Sequence, residues 1–357
     1  MEGSPADAAT VDECVTFVEE ATSGLRDDGA EWGPRLDAAT ERIAAALQWT
    51  VDHATDPQSA ERGMRIATAL HGYWLRHGQL PIARSWLVQL LAAPGAQART
   101  AMRARALNAA GQVAFRQGER DVAHARFQEA LGLATELQET TAVVAAITNL
   151  ARIALRDGDA PAVRRLAAQA RERAASLDDP AAGLGPLHLL AAGTRMAGEL
   201  EAAKILYRES LDLNRALGRG SMITTELLNL GSVEKRLGHA AEAARLFTEA
   251  LDRALATADE YTAAPSVLGL AGAAALLGDA QRGGRLLGGA RALYTAAGLI
   301  PDPDDAEEEA WTVELIRNAV GQRDLDDACA AGARLSRDEL LHEARSVAPA
   351  RQVLDTP

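Results

Sequence analysis

Arginine is the residue type with the most chemistry to offer in this sequence, because of where it recurs. Arg76, Arg116, Arg156 and Arg236 each stand two residues before a glycine (Gly78, Gly118, Gly158, Gly238), and Arg195 and Lys235 stand three before Gly198 and Gly238. Arg152 lies six before Gly158, and Arg65 and Arg105 lie thirteen before Gly78 and Gly118. A guanidinium presents a planar fork of donors that pairs bidentately with carboxylate or phosphate. A row of such groups in a groove suits a protein or peptide partner with an acidic segment, or a small anionic effector. A second explanation stays open for the positions just before the glycines. They fall in the last turn of a helix, where a cation complements the macrodipole by about 0.3–1 kcal/mol. Arg65, Arg105 and Arg152 lie farther from that end and are less easily explained this way.

Other chemistry is thin. The one formal enzyme motif is Ser232-Val233-Glu234-Lys235, an S-x-x-K. It lies in a helical pattern without companion motifs and reads as accidental. The histidines (His53, His71, His77, His124, His188, His239, His342) are scattered, and no pair has the i, i+4 spacing with an acidic neighbour that zinc chemistry uses. Gly283-Gly284 and Gly288-Gly289 follow no strand, so they point to close helix packing rather than a phosphate loop. The acidic run from Pro301 through Glu309 reads as a solvated loop. The expectation is a non-catalytic protein with no cofactor and no metal.

The formal net charge of -13 and the pI near 5.1 disfavour direct nucleic-acid binding. Cys14 and Cys329 supply neither a disulfide framework nor a metal spacing, which fits a reducing cytoplasm. The start of the chain is acidic where a signal peptide would be basic. The longest uncharged run, Pro180 to Thr194, is too short and too broken by Gly and Pro to span a bilayer. A cytoplasmic, membrane-free protein is expected.

The elements that position the arginines are set by the glycines themselves. Gly78, Gly118, Gly158, Gly198, Gly238 and Gly278 recur at a period of 40. A fixed period of this length marks stacked repeats, each burying its apolar face on its neighbours. Eight residues before the glycine stand Leu70, Ala110, Leu150, Leu190, Leu230 and Leu270; seven before it come mostly small residues, Gly111, Ala151, Ala191, Gly231 and Ala271 among them. Five after it come Ala83, Ala123, Val163, Ala203, Ala243 and Gly283, and nine after it Leu87, Phe127, Ala167, Tyr207, Phe247 and Leu287. Small, large and small again describe one face of a second helix pressed on the first. The glycine is the left-handed residue between them, and Glu119, Asp159, Glu199 and Asp279 open the next helix.

Ahead of the repeats, residues 1–10 read as disordered, one helix is expected over about Val11–Leu25 and another over about Arg35–Val51, and Ser59 is a candidate N-cap. Tyr73, Trp74 and Trp86 read as a seal between the first repeat and these helices. The division is 1–58 for the N-terminal segment and helical pair, 59–300 for six repeats, and 301–357 for the acidic loop, capping helices and tail. The predicted fold is all-α, a right-handed superhelical solenoid of antiparallel helix pairs.

The pattern resembles the tetratricopeptide repeat, most cleanly in Leu230-Gly231, Gly238, Ala243, Phe247 and Ala250. The period exceeds the usual 34 and the closing proline is missing, so longer helices follow. That departure is similar to the MalT-like sensor regions of actinobacterial LuxR-type ATPase regulators. Phe17, Trp32, Trp49, Tyr73-Trp74 and Trp86 at one flank, and Arg285-Leu286-Leu287-Gly288, Gly332, Leu335 and Ser336 at the other, resemble the segments bordering such sensors. No G-x-x-x-x-G-K-[ST] loop occurs, and the residues after Glu343 are too few for a helix-turn-helix domain. The resemblance implies a sensor region standing alone: a signalling or transcription-regulation scaffold that binds its partner in the concave groove. The alternative is a split or truncated regulator acting with separately encoded domains.

Overall fold

The computed structural model describes residues 7–26, 32–257, 259–298 and 303–347. Residues 1–6, Pro301-Asp302 and the tail from 348, all singled out in the sequence, lie outside them. The described elements are helical, with no strand among them. α1 (Ala8–Arg26), α2 (Trp32–Ala38) and α3 (Thr40–Asp52) come first. Helices then alternate in the order α4 (Pro57–Arg76), α5 (Leu80–Ala92), α6 (Ala101–Arg116), α7 (Arg120–Glu136), α8 (Thr140–Arg156), α9 (Ala160–Ala174), α10 (Leu184–Met196), α11 (Leu200–Ala216), α12 (Gly220–Arg236), α13 (Ala240–Ala256), α14 (Glu260–Leu276) and α15 (Ala280–Ala296). α16 (Pro303–Val320), α17 (Gln322–Gly332) and α18 (Arg337–Arg345) complete the order. The chain condenses into two compact units, one up to Leu189 and one from Leu190. No helix among the described residues is long and apolar enough to cross a membrane.

In the first unit α4, α6 and α8 each pair with the following helix and pack on one another, forming the inner row of the stack, while α1 and α3 pack on α4. In the second unit α12 and α14 form the equivalent row, and α16, α17 and α18 close on α14 and α15. The glycine column sits where the sequence puts it. All six have positive φ, from +69° at Gly78 to +92° at Gly278, the left-handed conformation that a Cβ disfavours. Asp159 and Asp279 then cap the next helix by accepting from the backbone N–H of Ala162 and Arg282.

The small and large positions interlock. A Cβ on Gly111 would lie 2.5 Å from the Phe127 ring, and one on Gly231 2.8 Å from the Phe247 ring, so the missing side chain is the seat of the aromatic one. Near the C-terminal end the paired glycines serve close packing. A Cβ on Gly288 would fall 2.0 Å from the Cys329 carbonyl oxygen, and one on Gly332 1.8 Å from that of Arg285.

Four expectations are corrected. Asp7 accepts from the Thr10 N–H at the head of α1, so order begins before Val11. The second helix is broken at Ala39 into α2 and α3, where the Thr40 hydroxyl donates to the Asp37 carbonyl and competes with the helical ladder. The cap of α4 is Asp56, which accepts from the Ser59 N–H; Ser59 is the donor, not the cap. The acidic stretch from Asp304 to Glu309 is not a loop but the first turns of α16. Tyr73 and Trp74 are buried as a seal should be, and the Tyr73 hydroxyl donates to Asp37 of α2.

Gly118→Ala is expected to cost about 1–2 kcal/mol through left-handed strain alone, whereas Gly288→Ala costs about 1–3 kcal/mol or more through overlap with a backbone carbonyl. Urea unfolding of the two variants checks both. Burial pushes the Cys14 thiol up to about 11, so a thiol reagent at neutral pH should leave it unmodified until the protein unfolds.

Candidate ligand groove

Several arginines of the stack are engaged by a carboxylate one repeat further on. Arg84 pairs with Glu119 and Arg99 with Glu136; Arg120 reaches Asp157 at 2.7 Å and Arg215 reaches Glu249 at 2.6 Å. These exposed pairs are each worth up to about 1 kcal/mol. They tie neighbouring repeats together and leave no cation for a ligand.

The sequence-predicted site residues fall into three groups. Arg65 and Arg105 belong with the engaged set: Arg65 holds Glu19 of α1 through two hydrogen bonds, at 2.9 and 2.7 Å, and Arg105 lies 3.7 Å from Glu139. Arg156 donates to the Phe115 carbonyl at 3.0 Å and stacks over the Phe115 ring at 4.3 Å, which fixes it between α6 and α8.

Lys235 and Arg236 form the second group, and here the sequence reading is corrected. They lie at the end of α12, but the chain's own α16 covers them. Lys235 is buried and ion-paired with Glu308. Arg236 contacts Glu307 and Glu308, each at 3.2 Å, and the Trp311 ring lies 4.9 and 5.0 Å from the two cations. Burial lowers the Lys235 pKa, with Glu308 opposing. The motif lysine beside Ser232 is thus held as half of an ion pair. Arg195, half-buried, lines a small cavity of about 50 Å³ with Ser232, Asp305 and Glu308.

The third group is Arg76, Arg116 and Arg152. They converge from the inner-row helices α4, α6 and α8 on one cavity of about 440 Å³, together with Gly72, Leu75, Gln112, Phe115, Phe127 and Asn149. No carboxylate lines it among the described residues. Asn149 aims Arg152: its Nδ2 donates to Asn108 Oδ1 at 3.0 Å, which leaves Oδ1 to accept from Arg152 at 3.2 Å. Arg152 keeps surface accessible to water, since the cavity is open on one side, yet protein atoms crowd the rest of it. That loss of hydration, and secondly the charge of Arg116, lower its pKa. A second cavity of about 420 Å³ shares Gly72 and Arg76 and adds Arg105, Met102 and Arg65, the last with its partner Glu19 also in the wall. In the first cavity, unbalanced positive charge beside apolar walls is the arrangement of an anion-recognising site.

Sequence spacing could not have singled out Asn108 and Asn149, nor the wholly buried Glu234, which holds Lys204 at 3.0 Å, Arg208 at 3.3 Å and His239 at 2.7 Å. Glu234 is one residue from Lys235, and only the helix rotation separates its core network from the α16 contact.

No protein-family profile matches the sequence, and no curated protein is similar to it. Solved structures are. BtubC from P. vanneervenii is 18% identical, with 62% of this chain and 93% of that one covered and a TM-score of 0.52. A Rap protein complexed with competence and sporulation factor is 10% identical, covering 91% and 99%, at a TM-score of 0.56. A signal-transduction ATPase with numerous domains and a tetratricopeptide-repeat sensor, from Pyrococcus horikoshii, is 11% identical, covering 96% of this chain and 55% of that protein, also at 0.56. The fold is therefore an all-α helical-repeat solenoid of tetratricopeptide type.

Glu308→Ala leaves the Lys235 ammonium buried without its carboxylate, which should cost about 3–5 kcal/mol in unfolding free energy. Because the folded pKa of Lys235 lies below the ordinary 10.5, the unfolded state binds more protons between those values. Glu308 holds that pKa up, so it falls further in the variant, and the variant's deficit should shrink as pH rises from its own folded pKa to that of the wild type; urea titrations at several pH values measure it.

Proposed function

We propose that this chain is a non-catalytic scaffold of a cytoplasmic regulatory system, which holds a protein or peptide partner in the inner-row groove of its first unit. The observation that carries the reading is the arginine cavity itself: Arg76, Arg116 and Arg152 share it without a carboxylate, while their neighbours in the stack are paired. Like charges gathered in a concavity repel, and an anionic ligand relieves that repulsion. Support comes also from the company the fold keeps. The Rap neighbour was solved with a competence and sporulation factor, and the P. horikoshii neighbour carries its repeats as a sensor. On this reading the active groups bind and orient; none transfers a proton or attacks a substrate.

A second reading is favoured by the coverage of the P. horikoshii protein, of which this chain matches about half. In it the chain is the sensor part of a LuxR-type, MalT-like actinobacterial regulator whose ATPase and DNA-binding parts are encoded separately. A neighbouring reading frame for a nucleotide-binding or helix-turn-helix protein that co-purifies with this chain is the outcome expected there.

For the groove itself, a photo-crosslinking residue at Gln112, which lines the cavity, should capture the partner in cells. Combined replacement of Arg76, Arg116 and Arg152 by Ala should abolish that product and change unfolding by no more than about 0.5 kcal/mol. Capture that survives the triple variant would sink the reading.

A further inference from the structure

The inner face of the second unit is already occupied, and the occupant shows what chemistry such a face accepts. α16 packs on α14 and reaches α12. Its buried Thr312 and the stem of Lys235 both stand over Gly272, where a Cβ would come within 3.0 Å of the Thr312 hydroxyl oxygen and 2.9 Å of the lysine Cδ. One turn earlier along α16, Glu308 takes Lys235 and Arg236, with Glu307 beside it. The occupied face thus has two parts: a bare stretch of backbone that receives a small side chain, and cations that receive carboxylates.

The first unit has both parts and no occupant among the described residues. Gly72 stands six residues before Gly78, as Gly272 stands six before Gly278, and Arg76 and Arg116 hold the same place before their glycines as Arg236. A Cβ on Gly72 would approach nothing closer than an Arg76 nitrogen at 3.7 Å. The order along the stack differs: in the second unit the cations come from the repeat before the glycine, in the first from its own repeat and the two after it. α16 is therefore a guide to chemistry and not to direction. The two cavities, about 440 and 420 Å³, meet at Gly72 and Arg76, with Glu19 against Arg65 in the second; together they make a trough with more room than a single small anion fills.

We infer that this trough takes an acidic helical segment of a partner protein, whose carboxylates pair with Arg116 and Arg152 while a small side chain rests over Gly72. The inference rests on the groove reading given above and narrows it to one class of partner. Laying a helix face into a groove buries apolar stems along Leu75 and Phe115 while its acidic residues neutralise the arginines. Affinity then depends on salt, since the pairs at the rim are screened over about 8–10 Å near physiological ionic strength.

The test uses the full chain and, as probe, a fluorescent peptide with the α16 sequence Pro303–Val320, followed by anisotropy. Saturable binding that weakens with added salt is expected. It should drop at least about tenfold (about 1.4 kcal/mol) in Arg116→Ala/Arg152→Ala and be lost in Gly72→Trp, which fills the floor. Because Gly72 is helical and faces open space, circular dichroism and urea unfolding should show that variant intact. A peptide carrying Glu307→Gln, Glu308→Gln and Glu309→Gln should bind far more weakly. If it binds equally well and Gly72→Trp still blocks it, the groove is a binding site but the acidic class is wrong. If neither Gly72→Trp nor the arginine variant alters binding, or no binding occurs at millimolar peptide, both this inference and the groove reading fall. If inorganic phosphate competes at low concentration and its own binding survives Gly72→Trp, the pocket is a small-anion site and the helical partner is excluded.

Discussion

An aromatic ring seated on a stretch of backbone that carries no side chain sets the geometry of the repeats. Phe127 rests on Gly111, and Phe247 rests on both Gly231 and Gly269. Burying such a ring contributes about 1.5–3 kcal/mol, but its larger effect is on rotation. With the ring fixed in its seat, neither helix of the pair can roll, and the residues of α6 and α12 have a defined outlook. Arg116 faces the cavity because Gly111, five residues earlier on α6, faces Phe127. Adding a methyl group at Gly111 would turn the helix and carry the arginine with it. Packing in the core and charge in the groove are in this sense one constraint.

The charges follow a division of labour. On the outside, a set of arginines reaches carboxylates about one repeat away, and each pair contributes little. In the second unit the cations of the inner row are matched from within the chain by α16. In the first unit Arg76, Arg116 and Arg152 share a cavity that no carboxylate lines among the described residues. The net charge of -13 therefore says nothing about the local field there, which is positive.

The sequence shows the repeat plainly, because a turn that needs positive φ leaves a glycine at a fixed interval. It shows the other turn of each repeat poorly. Gly218 and Gly298 are left-handed there too, but Gln138, at φ +58°, fills the same role with a side chain, and so the underlying spacing of 20 is hidden. The site was half legible. That arginines recur near the ends of inner-row helices is a matter of counting; that Arg65 is spent on Glu19 and Arg236 on Glu308 depends on partners 46 and 72 residues away. The acidic start of α16 shows the same limit, since a run of carboxylates reads as solvated until the cations it meets are known. No local pattern reports such pairings, and the asparagine pair that aims Arg152 is invisible for the same reason.

The long period has a consequence for depth. Inner-row helices such as α8 and α12 run 17 residues, or about 25 Å at 1.5 Å per residue. The usual repeat of 34 residues leaves each helix shorter by about three residues, close to one turn. The additional turn gives the groove wall a second storey. Arg76 and Arg116 stand on the upper one, at the helix ends, and Arg152 one turn below with Asn149 behind it. A bound segment is consequently met at two levels, and how far its acidic side chains reach matters as much as how many there are.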